Sequence, residues 1–221
     1  MLIDLHVHSC FSDDSNSQFD SILEWAKKNG IDGVAICDHD SVEGGFACAR
    51  RASEIASDIL VIPGQEVSSA EGHVLVLGAS ESVPAAMSVL STIKYAHDLG
   101  GLVIIPHPYK KTSHGIGYLE GLDVDAVEVF NSRCLTPYAN TRAKIVADKL
   151  GLPQVGGSDA HEPRMVGRSY TDIDVTDGSV DSVLSAIKTG RVKPGGKLTP
   201  PKYVVGQMLR GIRKKKYGFI L

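Results

Sequence analysis

The segment Asp4-Leu5-His6-Val7-His8 sets two imidazoles two residues apart, beside a carboxylate, at the start of the chain. In an extended strand residues i and i+2 share a face. Strict alternation therefore predicts Asp4, His6 and His8 on one face and Ile3, Leu5 and Val7 on the other. Imidazole with carboxylate at such spacing is the donor pattern of a metal site. By itself it also describes a half-buried strand with polar residues turned to water.

The same donor types recur at the ends of later apolar runs. Asp38-His39-Asp40 follows GVAIC, Glu66 ends ILVIPGQE, and His73 opens HVLVLG. His107 ends GLVIIPH, Glu128 and Asn131 lie in AVEVFN, and Asp159 and His161 follow PQVGG. Asp13 sits just past the first run. Six of the eight histidines belong to this set. His97, inside a helical segment, reads as an ordinary surface residue, and His114 lies in a Gly-rich loop that favours neither reading. Each residue alone has a plain explanation, since a strand-end Asp often caps a helix and a buried His is commonly just hydrogen-bonded. Such explanations do not account for clustering. Carboxylates gathered in one pocket would repel one another and raise each other's pKa values, and divalent cations resolve that conflict.

Seven short β-branched runs alternate with segments of helical period, which predicts α/β architecture with mainly parallel strands. Helices are expected over the stripe Phe19, Ile22, Leu23 and Ala26 up to Gly30, from Val83-Pro84 to about Leu99, from Thr136-Pro137 to Gly151, and from Ser179 to Thr189. The glycine fingerprint of a dinucleotide fold, G-x-G-x-x-G after the first strand, is missing. A distorted seven-stranded β/α (TIM-like) barrel fits better, and such a barrel carries its chemistry at the C-terminal strand ends.

The motifs DLHVHSCFSDD, CDHD, GQEVSSAEGH, IIPHP and GGSDAH, in this order over roughly residues 2 to 170, resemble the polymerase-and-histidinol-phosphatase (PHP) family of phosphoesterases. The resemblance implies up to three metals. His6, His8, Glu66 and Asp159 would hold the first, and Asp13, His39 and His161 the second. Glu66, His73 and His107 would hold the third, with Glu66 bridging. Nitrogen and oxygen donors without thiolate suit zinc, manganese or iron. Asp4 and Asp38 are read as carboxylates that orient ligating imidazoles.

A metal cluster of this kind activates water and clamps the attacking and leaving oxygens of a phosphate ester. The expected activity is hydrolysis of a phosphomonoester: a nucleotide, nucleoside bisphosphate, sugar phosphate or RNA end. Motif spacing resembles relatives that remove a 3′-phosphate from nucleoside bisphosphates or trim RNA from its 5′ end, more than histidinol-phosphate phosphatases. Arg133 and Arg164 are the candidate phosphate holders, ahead of Lys110 and Lys111. The rivals are a non-catalytic PHP module, which tends to lose ligands, and a metal amidohydrolase, which usually shows a strand-end lysine. None of the nine ligands is missing, and no strand ends in lysine.

Composition, with 43% hydrophobic and 22% charged residues, is that of an ordinary globular chain. No apolar run approaches the ~20 residues of a membrane span, and the four scattered cysteines suggest reduced thiols. The N-terminus lacks signal-peptide features, so a cytoplasmic location is expected. All 26 acidic residues lie at or before Asp181, with ten basic residues and no acid beyond it. The barrel is expected over residues 1–195. Residues 196–221 form a basic extension, expected to be helical and packed on the barrel, where a nucleic-acid end could bind; a solvated segment that balances the acidic body is the plainer reading.

Overall fold

Alternation of apolar strands with amphipathic helices closes here into a barrel-like sheet, seen in a computed structural model that describes residues 1–175 and 177–207. The strands are β1 (Leu2–Val7), β2 (Gly33–His39), β3 (Leu60–Ser68), β4 (His73–Leu77), β5 (Leu102–Ile105), β6 (Ala126–Asn131), β7 (Gln154–Gly157), β8 (Ser169–Ile173) and β9 (Val192–Gly196). The helices are α1 (Phe19–Lys28), α2 (Glu43–Glu54), α3 (Val89–Asp98), α4 (Tyr138–Leu150) and α5 (Val180–Lys188). Sheet order is β7-β6-β5-β4-β3-β2-β1-β8-β9. The end of β7 returns to β1, where Val7 bridges Ala160 in parallel and His8 N–H donates to the Ala160 carbonyl at 2.9 Å.

The barrel therefore has nine described strands where the runs predicted seven. The two additions, β8 and β9, pair antiparallel to each other, and β8 pairs antiparallel to β1. Their sequences SYTDI and VKPGG carry too little apolar residue to stand out, because β9 faces solvent along much of its length. β4 runs antiparallel to both β3 and β5, the main departure from a regular barrel.

Ile3, Leu5, Ala35, Cys37, Ile62 and Leu75 belong to one buried cluster inside the sheet, closed at its lower end by Val183, Ala186 and Ile187 of α5. A second layer lies between sheet and helices, for example Val7, Val34 and Ile36 against Ile22, Leu23 and Ala26 of α1. α3 starts at Val89 with Ser88 as its cap, six residues later than the expected start. Pro84 lies in the turn before it, because the Val83 carbonyl and N–H are taken by the Gln65 side chain at 2.8 Å each. α4 ends at Gly151 in the left-handed conformation (φ 67°), as the glycine predicted.

The expected boundary between barrel and extension, at residues 195 and 196, falls at the end of β9. Residues 201–207 are helical; Val204 and Gln207 are buried, and Tyr203 packs beside the α1 layer. The rest of the extension, residues 208–221 with its Arg210-to-Lys216 basic run, lies outside the described residues.

Candidate metal centre

β1 does not keep strict alternation. Its register with β2 runs Ile3 to Gly33, Asp4 to Val34, then Val7 to Ile36, so β1 carries one extra residue between Asp4 and Val7. Such a bulge re-aims the side chains that follow it. Ile3 and Leu5 point into the barrel core, Val7 points outward to α1, and His6 and His8 join the site. Asp4 consequently does not share the histidines' surroundings. Its carboxylate accepts from the backbone N–H of Ser158 (2.8 Å), Gly167 (2.7 Å) and His6 (3.4 Å), and burial pushes its pKa up to about 6 against those bonds.

The strand ends bring eight of the nine expected ligands together. Donor atoms of His6, His8 and Asp159 lie within 4.8 Å of one another, as do those of His6, Glu66 and His107, of His39, Glu66 and His73, and of His8, His39 and His161. Four residues are shared between groups, so the set is continuous. Glu66 lies at its middle. Its Oε1 faces His73 Nδ1 (2.8 Å) and His107 Nε2 (3.1 Å), and its Oε2 faces His6, His8 and His39 at 3.5, 3.3 and 3.4 Å.

The ninth residue, Asp13, is solvent-exposed and stands outside these groups. The carboxylate that meets His161 Nε2 at 2.9 Å and His39 Nε2 at 3.7 Å is its neighbour Asp14. Both acids stand in a turn bonded from Ser12 N–H to the Ser9 carbonyl and from Ser15 N–H to the Ser12 carbonyl.

Asp38 does not touch an imidazole either. It accepts from Ser9 N–H, Ser9 Oγ and Ser12 Oγ at 2.6–2.8 Å, and Ser12 Oγ lies 3.1 Å from His8 Nδ1. Its support of His8 therefore passes through a serine hydroxyl. Outside the expected ligand set, a carboxylate that does reach a candidate donor imidazole from behind is Glu128, 3.1 Å from His6 Nδ1. β6 also carries an extra residue against β7, between Glu128 and Phe130. That bulge turns both Glu128 and Asn131 toward the site, and Asn131 Nδ2 donates to Glu128 (2.9 Å) and Asp159 (3.3 Å).

Two cations border the set. Arg133 Nη1 donates to Asp159 Oδ1 at 2.9 Å, and Lys110 Nζ to Asp159 Oδ2 at 3.1 Å. Arg133 Nη2 donates to Gln207 Oε1 at 2.7 Å, so residues 201–207 reach the site. Nothing in the sequence pointed to Gln207, because the contact spans 74 residues. Arg164 lies elsewhere: it pairs with Glu162 at 2.9 Å, and its guanidinium covers the Tyr203 ring at 4.9 Å. Lys111 is exposed, and His114 stands at the rim with its ring 5.0 Å from that of His73. His97 is partly buried and pairs with Asp125 at 3.0 Å.

Electrostatics follows from this packing. Burial opposes the charge on Glu66, yet His6, His73 and His107 hold it well below the usual carboxylate range. Burial likewise opposes Asp159, which Arg133, Lys110 and His6 keep ionised. Burial with Arg133 and His8 pushes His161 down to about 3, which favours the neutral imidazole.

The set fits divalent metal better than it fits internal hydrogen bonding. One carboxylate cannot satisfy five imidazoles, and three of the five stand beyond the usual N–H···O distance. His6 Nε2 and His8 Nε2 face each other at 3.2 Å, and the buried Nδ1 of His107 has no hydrogen-bond partner. Lone pairs converging on shared points are ligand geometry. Cys37, Cys48 and Cys134 are buried and stay protonated, burial pushing Cys48 up to about 12 and Cys134 to about 11, so thiolate takes no part.

A nearly closed β/α barrel with imidazole and carboxylate converging at its strand ends defines a metal-site barrel protein. The PHP domain matches residues 4–131 and the PHP-associated region residues 137–192, and the chain belongs to the PHP family. It is 35% identical over 143 residues to an uncharacterized protein of Methanocaldococcus jannaschii, covering 60% of this chain and 82% of the relative. It is 36% identical over 104 residues to a phosphoribosyl 1,2-cyclic phosphate 1,2-diphosphodiesterase of Eggerthella lenta, covering 44% of this chain and 38% of that one. A two-domain protein of Bacteroides vulgatus containing a predicted PHP-like metal-dependent phosphoesterase shares the fold. Its TM-score is 0.73 at 17% identity, over 95% of this chain and 69% of that one. No helix among the described residues is long and apolar enough to cross a membrane.

Proposed function

We propose that the chain is a metal-dependent phosphoesterase that hydrolyses a phosphomonoester, such as a nucleotide, nucleoside bisphosphate, sugar phosphate or RNA end. The observation that carries this reading is the division of Glu66, one oxygen toward His73 and His107 and the other toward His6, His8 and His39. On this reading His6, His8, Glu66 and Asp159 hold one metal, and Glu66, His73 and His107 a second. His39 and His161 hold a third with Asp14, the acid that faces them, in place of Asp13. Zinc, manganese or iron matches these donors. Bound there, the metals supply Lewis acidity and an activated water.

Arg133 and Lys110 favour phosphate over a neutral amide. Both present cationic N–H donors beside Asp159, where the non-reacting oxygens of a phosphate would sit. Glu66 occupies the bridging position where an amidohydrolase usually carries lysine. The name of the Eggerthella relative makes a cyclic phosphodiester the alternative ester form. A non-catalytic module is disfavoured because the donor set is intact.

The test is metal analysis of chain purified without chelator, followed by a screen of phosphomonoesters and cyclic phosphodiesters with added manganese. At least two transition-metal ions per chain and hydrolysis are expected. His39→Ala and Asp159→Asn should abolish turnover while the circular dichroism of the fold persists. Turnover that survives in both variants, or an active metal-free chain, overturns the reading.

A further inference from the structure

The substrate's leaving group is decided by what lies next to the donor set, and this inference rests on the phosphoesterase reading above. A cavity of about 500 Å³ opens beside the metal centre. Lys110 and Arg133 belong to both places, since each bonds Asp159 and each lines the cavity. None of the eight candidate donors lines the cavity itself, so Lys110 and Arg133 are the groups through which it adjoins the donor set.

The remaining walls have two characters. Pro108, Tyr109, Leu135, Tyr138, Ala139 and Val204 offer apolar and aromatic surface. The charged lining residues are Lys110, Lys111, Arg133 and Arg142, with no Asp or Glu among them. Arg142 is held in place, its guanidinium 4.3 Å over the Tyr109 ring and its Nη1 3.5 Å from the Tyr138 hydroxyl. The acid whose field reaches Arg142 is Glu120, which is exposed and does not line the cavity. Lys110 and Arg133 are already paired with Asp159, whereas Lys111 and Arg142 keep their charge for a ligand. An ammonium group placed here would meet cationic lining residues and no lining carboxylate, which disfavours it relative to an anion.

We propose that this cavity is the leaving-group pocket, and that the natural substrate is a phosphoester whose leaving group is a flat apolar or aromatic body ending in a second anionic group. In the step, water adds to phosphorus and the P–O bond to the leaving group breaks. The leaving oxygen takes a proton from that water and departs as the alcohol, with inorganic phosphate as the other product. Tyr109 and Tyr138 receive the flat body, and Arg142 with Lys111 receives the distal anion.

Three aryl phosphates test this with the full chain loaded with manganese: 4-carboxyphenyl phosphate, phenyl phosphate and 4-(aminomethyl)phenyl phosphate. The expected order of kcat/KM is carboxy, then unsubstituted, then aminomethyl, with roughly tenfold between the extremes, the scale of a partly solvated charge preference. Arg142→Gln and the exposed-site variant Lys111→Gln should each shrink that ratio. Calorimetric binding of the matching non-hydrolysable phosphonates should show the same preference and the same loss in both variants. A ratio near one or reversed, with turnover intact, overturns the pocket alone. No turnover of any member overturns the phosphoesterase reading, and the phosphonate pair then decides the pocket separately.

Discussion

Glu128 Oε1 stands 3.1 Å from His6 Nδ1, while its Oε2 accepts the backbone N–H of His107 at 2.9 Å. One buried carboxylate thereby fixes the ring of the first donor histidine and the backbone of another, 101 positions apart in the numbering of the chain. His6 is left presenting Nε2 to Glu66 and His8, the tautomer a ligand needs. Glu128→Gln keeps the shape and removes the charge. Metal affinity should fall about 10- to 100-fold, read by competitive chelator titration, with little change in thermal midpoint. Unchanged affinity would show that the His6 contact does not tune the donor set.

Gly157 makes that contact geometrically accessible. A Cβ there would lie 2.5 Å from His6 Cβ and 2.6 Å from Glu128 Oε1, both far inside contact distance. Gly157→Ala should cost ~1–3 kcal/mol of stability, measured by denaturant unfolding, and should lower metal content in the same preparation. Full metal occupancy in a stable variant would refute the tight approach of β7 to β1.

Asp125 lies away from the site and ties α3 to the sheet. Its Oδ2 accepts Val103 N–H at 2.8 Å and faces His97 Nε2 at 3.0 Å. Burial works against the charge, but these bonds hold the carboxylate below its ordinary value. A carboxyl depressed in the folded state adds stability that is present above its unfolded pKa of about 3.9 and is lost as pH falls through the lower folded value. Asp125→Asn should therefore cost ~1–2 kcal/mol near neutral pH, with the gap to the parent narrowing below about pH 4. A pH-independent gap in urea midpoints would assign the cost to packing.

Gln207 couples the start of the C-terminal extension to Arg133 through a 2.7 Å bond. Val204, buried and lining the cavity, covers the same side. Removing residues 202–221 should lower kcat/KM for a small phosphomonoester, not only for polyanions, and Gln207→Ala should reproduce roughly tenfold of it, as loss of a hydrogen bond to a charged group predicts. Full activity of the truncated chain on small esters would place the extension outside the site.

The sequence by itself singled out the candidate donors, because imidazole and carboxylate at strand ends are a local pattern: apolar period marks each strand, His39, Glu66, His107, Asp159 and His161 stand at or just past the point where it stops, and His73 where it begins. It placed α1, α4 and α5 to within a residue or two for the same reason, through stripes and the glycine or serine at their ends. Tertiary structure alone decided which neighbours face the centre. The extra residues in β1 and β6 arise from pairing with β2 and β7, so no count of alternation along one strand could separate Asp4 from His6, or turn Glu128 and Asn131 inward together. The pairing of Asp14 with His161, the stacking of Arg164 on Tyr203 and the reach of Gln207 to Arg133 are likewise contacts between segments far apart in the chain. Period records what a segment buries; only the assembled barrel settles what each side chain meets.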